Sequence, residues 1–181
     1  MRIRLRSVAW ALFAMAAGFL AARLIVPLPG PETPPLPDVE ISRLSFTSLD
    51  GSAVPLTQWQ GEVLLLNFWA TWCPPCREEM PLFQQMREAY RARGFEVLGV
   101  AVEDQAEKVR AFRSDNGITY PILLSGPDAP QLMRRLGNTI GALPYSLLVD
   151  RKGKVVRSKI GLLSSKELES WIKHELRRIN D

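Results

Sequence analysis

Cysteine and histidine are almost missing from this sequence, with two cysteines and one histidine in 181 residues. Two cysteines exclude a small secreted scaffold held by several disulfides. With one histidine and no second cysteine pair, a zinc site of about four ligands is excluded too, and no metal or other cofactor is expected. Acidic residues are absent before residue 27, where Arg2, Arg4, Arg6 and Arg23 stand alone. Without those four arginines, 19 basic residues remain of 23, matched by 19 acidic ones. The formal charge of +4 and the pI near 9.3 therefore describe the N-terminus and not a polyanion-binding body, so no nucleic-acid partner is expected. Hydrophobic residues at 46% and charged residues at 23% exclude wholesale disorder.

Long apolar runs are confined to one place. Ser7 to Ala22 carries no charge over 16 residues, and Arg23-Leu24-Ile25-Val26 extends it to 20. About 20 apolar residues span a bilayer, and an arginine near the far end can snorkel to the headgroups. The arginines at the start would stay in the cytoplasm and the body would lie outside. The expectation is an uncleaved signal-anchor over residues 1–26 in the cytoplasmic membrane, with the body on the periplasmic side. A cleaved signal peptide is the alternative, since Ala21 and Ala22 are small, but Arg23 and the apolar residues after it fit cleavage poorly. Six prolines between Pro27 and Pro37 then make a stiff linker over residues 27–37. Either membrane reading places the body in an oxidising compartment.

Residues 38–181 suffice for one hydrophobic core. Val39–Thr47 and Ala53–Pro55 read as short strands around an Asp50-Gly51 turn. Val63–Trp69 and Phe95–Val102 are continuous apolar runs, the pattern of strands buried on both faces. Between them, Pro74–Arg91 has helical spacing, with Leu82, Phe83, Met86, Ala89 and Tyr90 inward and Gly94 as the stop. Gln105–Asp115 reads as a helix, Tyr120–Leu124 as a strand and Ala129–Leu136 as a helix. Tyr145–Val149 and Lys154–Ile160 form a hairpin, and a helix starts at a capping box of Ser164 and Glu167. Leu168, Trp171, Ile172, Leu176 and Ile179 face inward there, leaving His174 exposed. This order predicts an α/β fold: a central mixed β-sheet flanked by helices.

The chemistry rests on Trp72-Cys73-Pro74-Pro75-Cys76, between a buried strand and a helix. Cys73 falls at the helix start, where free N–H groups and the helix dipole favour a thiolate. Pro74 and Pro75 occupy the first turn, where a missing N–H costs little. Cys76, one turn on, can pair with Cys73 or attack a mixed disulfide formed there. A disulfide closing so short a loop constrains little chain entropy, so a purely stabilising role is weak.

The segment from Asn67 to Pro81, Asn67-Phe68-Trp69-Ala70-Thr71-Trp72-Cys73-Pro74-Pro75-Cys76-Arg77-Glu78-Glu79-Met80-Pro81, resembles the active-site segment of the thioredoxin superfamily. Within it, the likeness is to membrane-anchored TlpA/ResA-like disulfide reductases, the redoxins. The resemblance implies a thioredoxin fold with an N-terminal β-hairpin and a central insertion near Gln105–Ser125. It implies Cys73 as nucleophile, Cys76 as resolving cysteine and a Cys73–Cys76 redox disulfide. It also implies a cis bond at Leu143-Pro144, where substrate backbone would pair, and a helix kink at Pro81. Asn67 stands where thioredoxin has a buried aspartate, and Glu79 matches the acid that does part of its work in ResA-like proteins. Tyr145-Ser146 replaces the Glu-Thr usual in cytochrome c maturation reductases. Trp72 is expected beside the substrate and Trp69 in the core.

The expected function is a membrane-tethered thiol:disulfide oxidoreductase reducing disulfide-containing proteins, re-reduced by a membrane electron-donor protein. Cytochrome c or oxidase metal-site assembly is a candidate setting. Alternatives are a disulfide-donating oxidase and a non-enzymatic assembly or chaperone module. A peroxidase motif would need proline and threonine where Leu66 and Ala70 stand.

Overall fold

A computed structural model describes residues 39–103 and 105–178. The candidate anchor and linker, and Ile179, lie outside the described residues. Among the described residues no helix is long and apolar enough to cross a membrane.

Among the described residues seven strands form one sheet in the order β2-β1-β5-β4-β3-β6-β7. They are β1 (Ser45–Ser48), β2 (Ala53–Pro55), β3 (Val63–Trp69), β4 (Phe95–Ala101), β5 (Ile122–Leu124), β6 (Tyr145–Val149) and β7 (Val155–Ile160). The two apolar runs are the centre: every residue of β3 and β4 is buried, and they pair in parallel from Val63↔Phe95 to Trp69↔Ala101. β6 lies antiparallel on the other side of β3 and pairs Asn67 with Ser146. The helices are α1 (Pro74–Tyr90), α2 (Ala106–Asp115), α3 (Ala129–Arg135) and α4 (Ser165–Arg177). Strand alternation sends Leu65, Asn67 and Trp69 to one face and Leu66 and Phe68 to the other. Trp69 and Leu65 pack with Phe83 of α1, Val109 of α2 and Ile172 of α4. Leu66 and Phe68 pack with Leu132 and Met133 of α3 and with Phe46 of β1. The result is a mixed sheet covered on both faces, with β1 and β2 as the N-terminal hairpin.

The excursion after β4 returns as β5, parallel to β4 and antiparallel to β1, and so ties the hairpin to the central strands. Gly99 on β4 makes this return possible. A Cβ there would lie 2.5 Å from Ile122 Cδ1, 3.1 Å from Trp69 Nε1 and 3.2 Å from Tyr120 Cε2.

Three expectations need correction. Val39–Thr47 is not one strand: Ile41–Arg43 forms a 3-10 turn, Glu40 makes a lone bridge to Lys154, and β1 starts at Ser45. Ile41 is buried by this turn, so weak alternation served a turn packed on the sheet. Ala89 is exposed, and Arg87 is buried in its place. Glu96 of β4 accepts from the Arg87 guanidinium at both oxygens, Nη2 to Oε2 at 3.1 Å, which lets an arginine occupy the inner face. At α4, Ser164 Oγ accepts from the Glu167 N–H at 3.3 Å, but the Glu167 carboxylate meets Lys159 at 3.2 Å instead of closing the box. Leu168, Ile172 and Leu176 are buried, Trp171 is half-buried and His174 is exposed.

Candidate active site

β3 ends at Trp69, and its chain turns through Ala70–Trp72 to start α1. Cys73 is the N-cap of that helix, in extended backbone conformation, with Pro74 and Pro75 as the first two helical residues. Prolines there have no N–H, so the first free donor is that of Cys76. It points at Cys73 Sγ, 3.4 Å away. The sequence thus leaves one helix-end donor, aimed at the sulfur whose thiolate it would stabilise. Cys73 and Cys76 form a disulfide across Cα atoms 5.3 Å apart, and both are buried, at 4% and 0% exposure. Pro81 lies inside α1, on its exposed side, and withholds a bond from the Arg77 carbonyl, yet the helix runs on to Tyr90.

The turn before Cys73 is pinned from β4. Glu103, just past that strand, accepts from Thr71 Oγ1 at 2.6 Å and from the Thr71 N–H at 3.1 Å. Trp72, next along, is 67% exposed. Ile140 and Leu162, from the loops before β6 and after β7, are the other large exposed apolar side chains among the described residues. Leu143-Pro144 is cis and leads directly into β6. Leu143 is half-buried, and the Pro144 carbonyl accepts from the Gly161 N–H at 2.8 Å. Asn138 braces this loop: its Nδ2 donates to the Ala142 carbonyl at 2.7 Å, and its Oδ1 accepts from the Ala142 N–H at 3.2 Å. Asn138, Thr71 and Glu103 were not singled out from sequence. A Gly137-Asn138 turn signal was available for the first, but the Thr71–Glu103 contact spans 32 residues and has no local signature.

One turn along α1 from Cys76 begins a cluster of buried polar side chains. Glu79, one turn beyond Cys76 on the same helix face, is 3% exposed. Its Oε1 accepts from Asn67 Nδ2 at 2.9 Å and its Oε2 from the Leu163 N–H at 3.1 Å. Burial pushes its carboxyl up to about 7, and the bonds from Leu163 and Asn67 oppose that rise only in part. Glu78, its neighbour, is exposed. Asn67 Nδ2 also donates to Ser146 Oγ at 3.0 Å. Tyr120 is buried on the same side of the sheet, and burial first, then the nearby Glu79, push its phenol well above the usual range. Fold and sequence therefore bring Cys73, Cys76, Glu79, Asn67 and Ser146 together, while Trp72 and Leu143 sit at the rim. His174 is remote in role, an exposed group 3.7 Å from Glu175.

The chain is similar to known proteins. The family profile for redoxins matches residues 31–171. The thiol-disulfide oxidoreductase ResA of Bacillus thuringiensis (strain Al Hakam) is 32% identical over 134 residues, covering 74% of this chain and 75% of its own. The sporulation thiol-disulfide oxidoreductase A of Bacillus subtilis (strain 168) is 31% identical over 115 residues, covering 62% of this chain and 67% of its own. Among solved structures, a thioredoxin-family thiol:disulfide interchange protein from Chlorobium tepidum TLS superposes with a TM-score of 0.63 at 29% identity, covering 82% of this chain and 99% of that one. With a match over most of its length, this chain belongs to the redoxin family and is a thiol–disulfide oxidoreductase of thioredoxin fold.

Proposed function

We propose that the chain is a reductase of protein disulfides outside the cytoplasm, held at the cytoplasmic membrane by residues 1–26. The observation that supports the catalytic half is a disulfide whose outer sulfur faces one helix-end N–H while a buried acid lies one turn behind the inner one. Reduced Cys73, as thiolate, attacks one sulfur of a substrate disulfide. The other substrate sulfur leaves as a thiolate and takes a proton from water. Cys76 gives its proton to Glu79 and attacks Cys73 Sγ, which expels the second substrate sulfur as a thiolate that takes a proton from water, and the Cys73–Cys76 bond closes. Two electrons have passed to substrate. A dithiol donor in the membrane then returns two electrons by the same exchange in reverse.

Glu79 suits this task because a carboxyl held near 7 accepts and releases a proton at neutral pH. The cis Leu143-Pro144 backbone and the apolar side chains of Trp72, Ile140 and Leu162 suit an extended protein segment as substrate. Maturation of apocytochrome c or of an oxidase copper site are settings that need such a reductase. Tyr145-Ser146 after the cis-proline argues against dedication to apocytochrome.

The test is the reduction potential of Cys73–Cys76 in the full chain, equilibrated in glutathione or dithiothreitol buffers and followed by tryptophan fluorescence. A value near or below about −220 mV supports a reductase, and one near about −120 mV reverses the direction of electron flow. Full complementation by a Cys73→Ser/Cys76→Ser double variant would instead favour a non-enzymatic assembly module.

A further inference from the structure

Glu103 stands just past β4, where the chain leaves the sheet for α2. One of its oxygens, Oε1, takes both protons that Thr71 offers, from Oγ1 at 2.6 Å and from the backbone N–H at 3.1 Å. A carboxylate only accepts, so the direction of both bonds is fixed and Thr71 donates twice. The other oxygen, Oε2, is buried with no hydrogen-bond partner among the described residues. An unpaired buried carboxylate oxygen costs free energy, so stability alone does not account for this side chain.

Glu103 is not needed to join the strands either. β3 and β4 pair as far as Trp69↔Ala101, and the Val102 N–H reaches the Trp69 carbonyl at 2.9 Å. What Glu103 adds lies one step beyond the sheet, on the turn that leads to the disulfide. The far side of that turn is held by the helix: the Cys73 N–H donates to the Ala70 carbonyl at 3.1 Å, and Cys76 is fully buried. Between the two anchors stands Trp72, 67% exposed. An indole so exposed has little packing of its own to orient it, so the backbone on either side of it sets the direction in which it projects.

We propose that Glu103 is a positioning residue for the substrate-facing turn: by taking both protons of Thr71 on one oxygen, it fixes the backbone from which Trp72 projects, so that the indole is ordered before a protein segment docks. This rests on the reading that Trp72 meets the substrate. Without Glu103 the Thr71 side of the turn loosens, and each docking event must order Trp72 anew.

The test uses the reduced full chain in detergent and two oxidants. One is oxidised glutathione, and the other is a disulfide-linked dimer of a short peptide whose cysteine is flanked by apolar residues. Released thiol is measured by alkylation and chromatography. Glu103→Ala should slow the peptide reaction by about two- to tenfold relative to the glutathione reaction, the cost of ordering one large side chain on docking. Glu103→Gln, whose amide oxygen still accepts from Thr71, should restore the wild-type ratio. In a Trp72→Ala background, Glu103→Ala should lower the ratio no further. An unchanged ratio in Glu103→Ala overturns the proposal, as does a Glu103→Gln ratio as low as that of Glu103→Ala, or a full further loss in the Trp72→Ala background. Amide hydrogen exchange at Thr71 should quicken in Glu103→Ala while that at Val102 stays as in wild type, and an unmoved Thr71 also overturns the proposal. Thr71→Val and Thr71→Ser read the same contact with residue 103 intact: the first should lower the ratio and the second keep it, and equal ratios overturn the proposal. Trp72→Ala alone reports on the underlying reading. An unchanged ratio there removes Trp72 from docking, whereas a lowered ratio there with an unmoved Glu103→Ala removes the role of Glu103 alone.

Discussion

Replacing Glu79 by glutamine gives a stability difference that must depend on pH in a defined way. In the folded chain burial lifts the Glu79 carboxyl from 4.5 to about 7. The folded state therefore binds this proton more tightly than the unfolded chain between those values, and stability falls as pH rises through that window. Below about pH 4.5 the carboxyl is protonated in both states and the wild type has its full stability. Above about pH 7 it is ionised in both, and the burial of a charge is felt in full. At about 1.4 kcal/mol per pH unit, the wild type should lose about 3 kcal/mol relative to Glu79→Gln between pH 4.5 and pH 8. Glutamine does not titrate, and its NH2 can donate to Asn67 Oδ1 once that amide turns, while its oxygen still accepts from Leu163. Guanidinium unfolding of both oxidised proteins across this range measures the difference. A difference that stays constant from pH 4 to pH 8 would refute the argument, because it would mean the carboxyl titrates alike in both states.

Other outcomes follow from named contacts. Cys76→Ser should stop turnover and accumulate a Cys73-linked mixed disulfide with substrate, visible as a band on a non-reducing gel, whereas Cys73→Ser should accumulate none. Glu96→Ala leaves the Arg87 guanidinium buried without its carboxylate and should cost about 3–5 kcal/mol by chemical denaturation. Gly99→Ala sets a methyl 2.5 Å from Ile122 Cδ1, so overpacking should cost about 1–3 kcal/mol in the same assay, with the redox midpoint unchanged. Phe83, fully buried between α1 and the sheet, should cost about 3–5 kcal/mol on truncation to alanine.

Elements with one dominant physical driver were readable from the chain alone. The runs Val63–Trp69 and Phe95–Ala101 are apolar enough to be buried on both faces, and they form the centre of the sheet. Cys73 before two prolines could only be a helix start, since proline is tolerated in a first turn and costs most in a helix interior. That local grammar also placed Cys76 one turn on. Where two drivers competed, local pattern misled. Residues 39–47 alternate weakly, but burial of Ile41 decided for a turn, and Arg87 went inward only because Glu96 arrives from another strand.

The sequence by itself determined the order of elements, the sulfur pair and the helix end that holds it, because these depend on neighbours within a few residues. The tertiary structure decided the chemistry around that pair. Asn67 and Ser146 are 79 residues apart, and Leu163 and Glu79 are 84 apart. Only the pairing of β3 with β6, and the packing of α1 over them, sets an amide held by a hydroxyl, together with a backbone N–H, on one buried carboxyl. A carboxyl's acidity is set by its solvation and its donors, which are properties of that assembled pocket and of no segment of the chain alone.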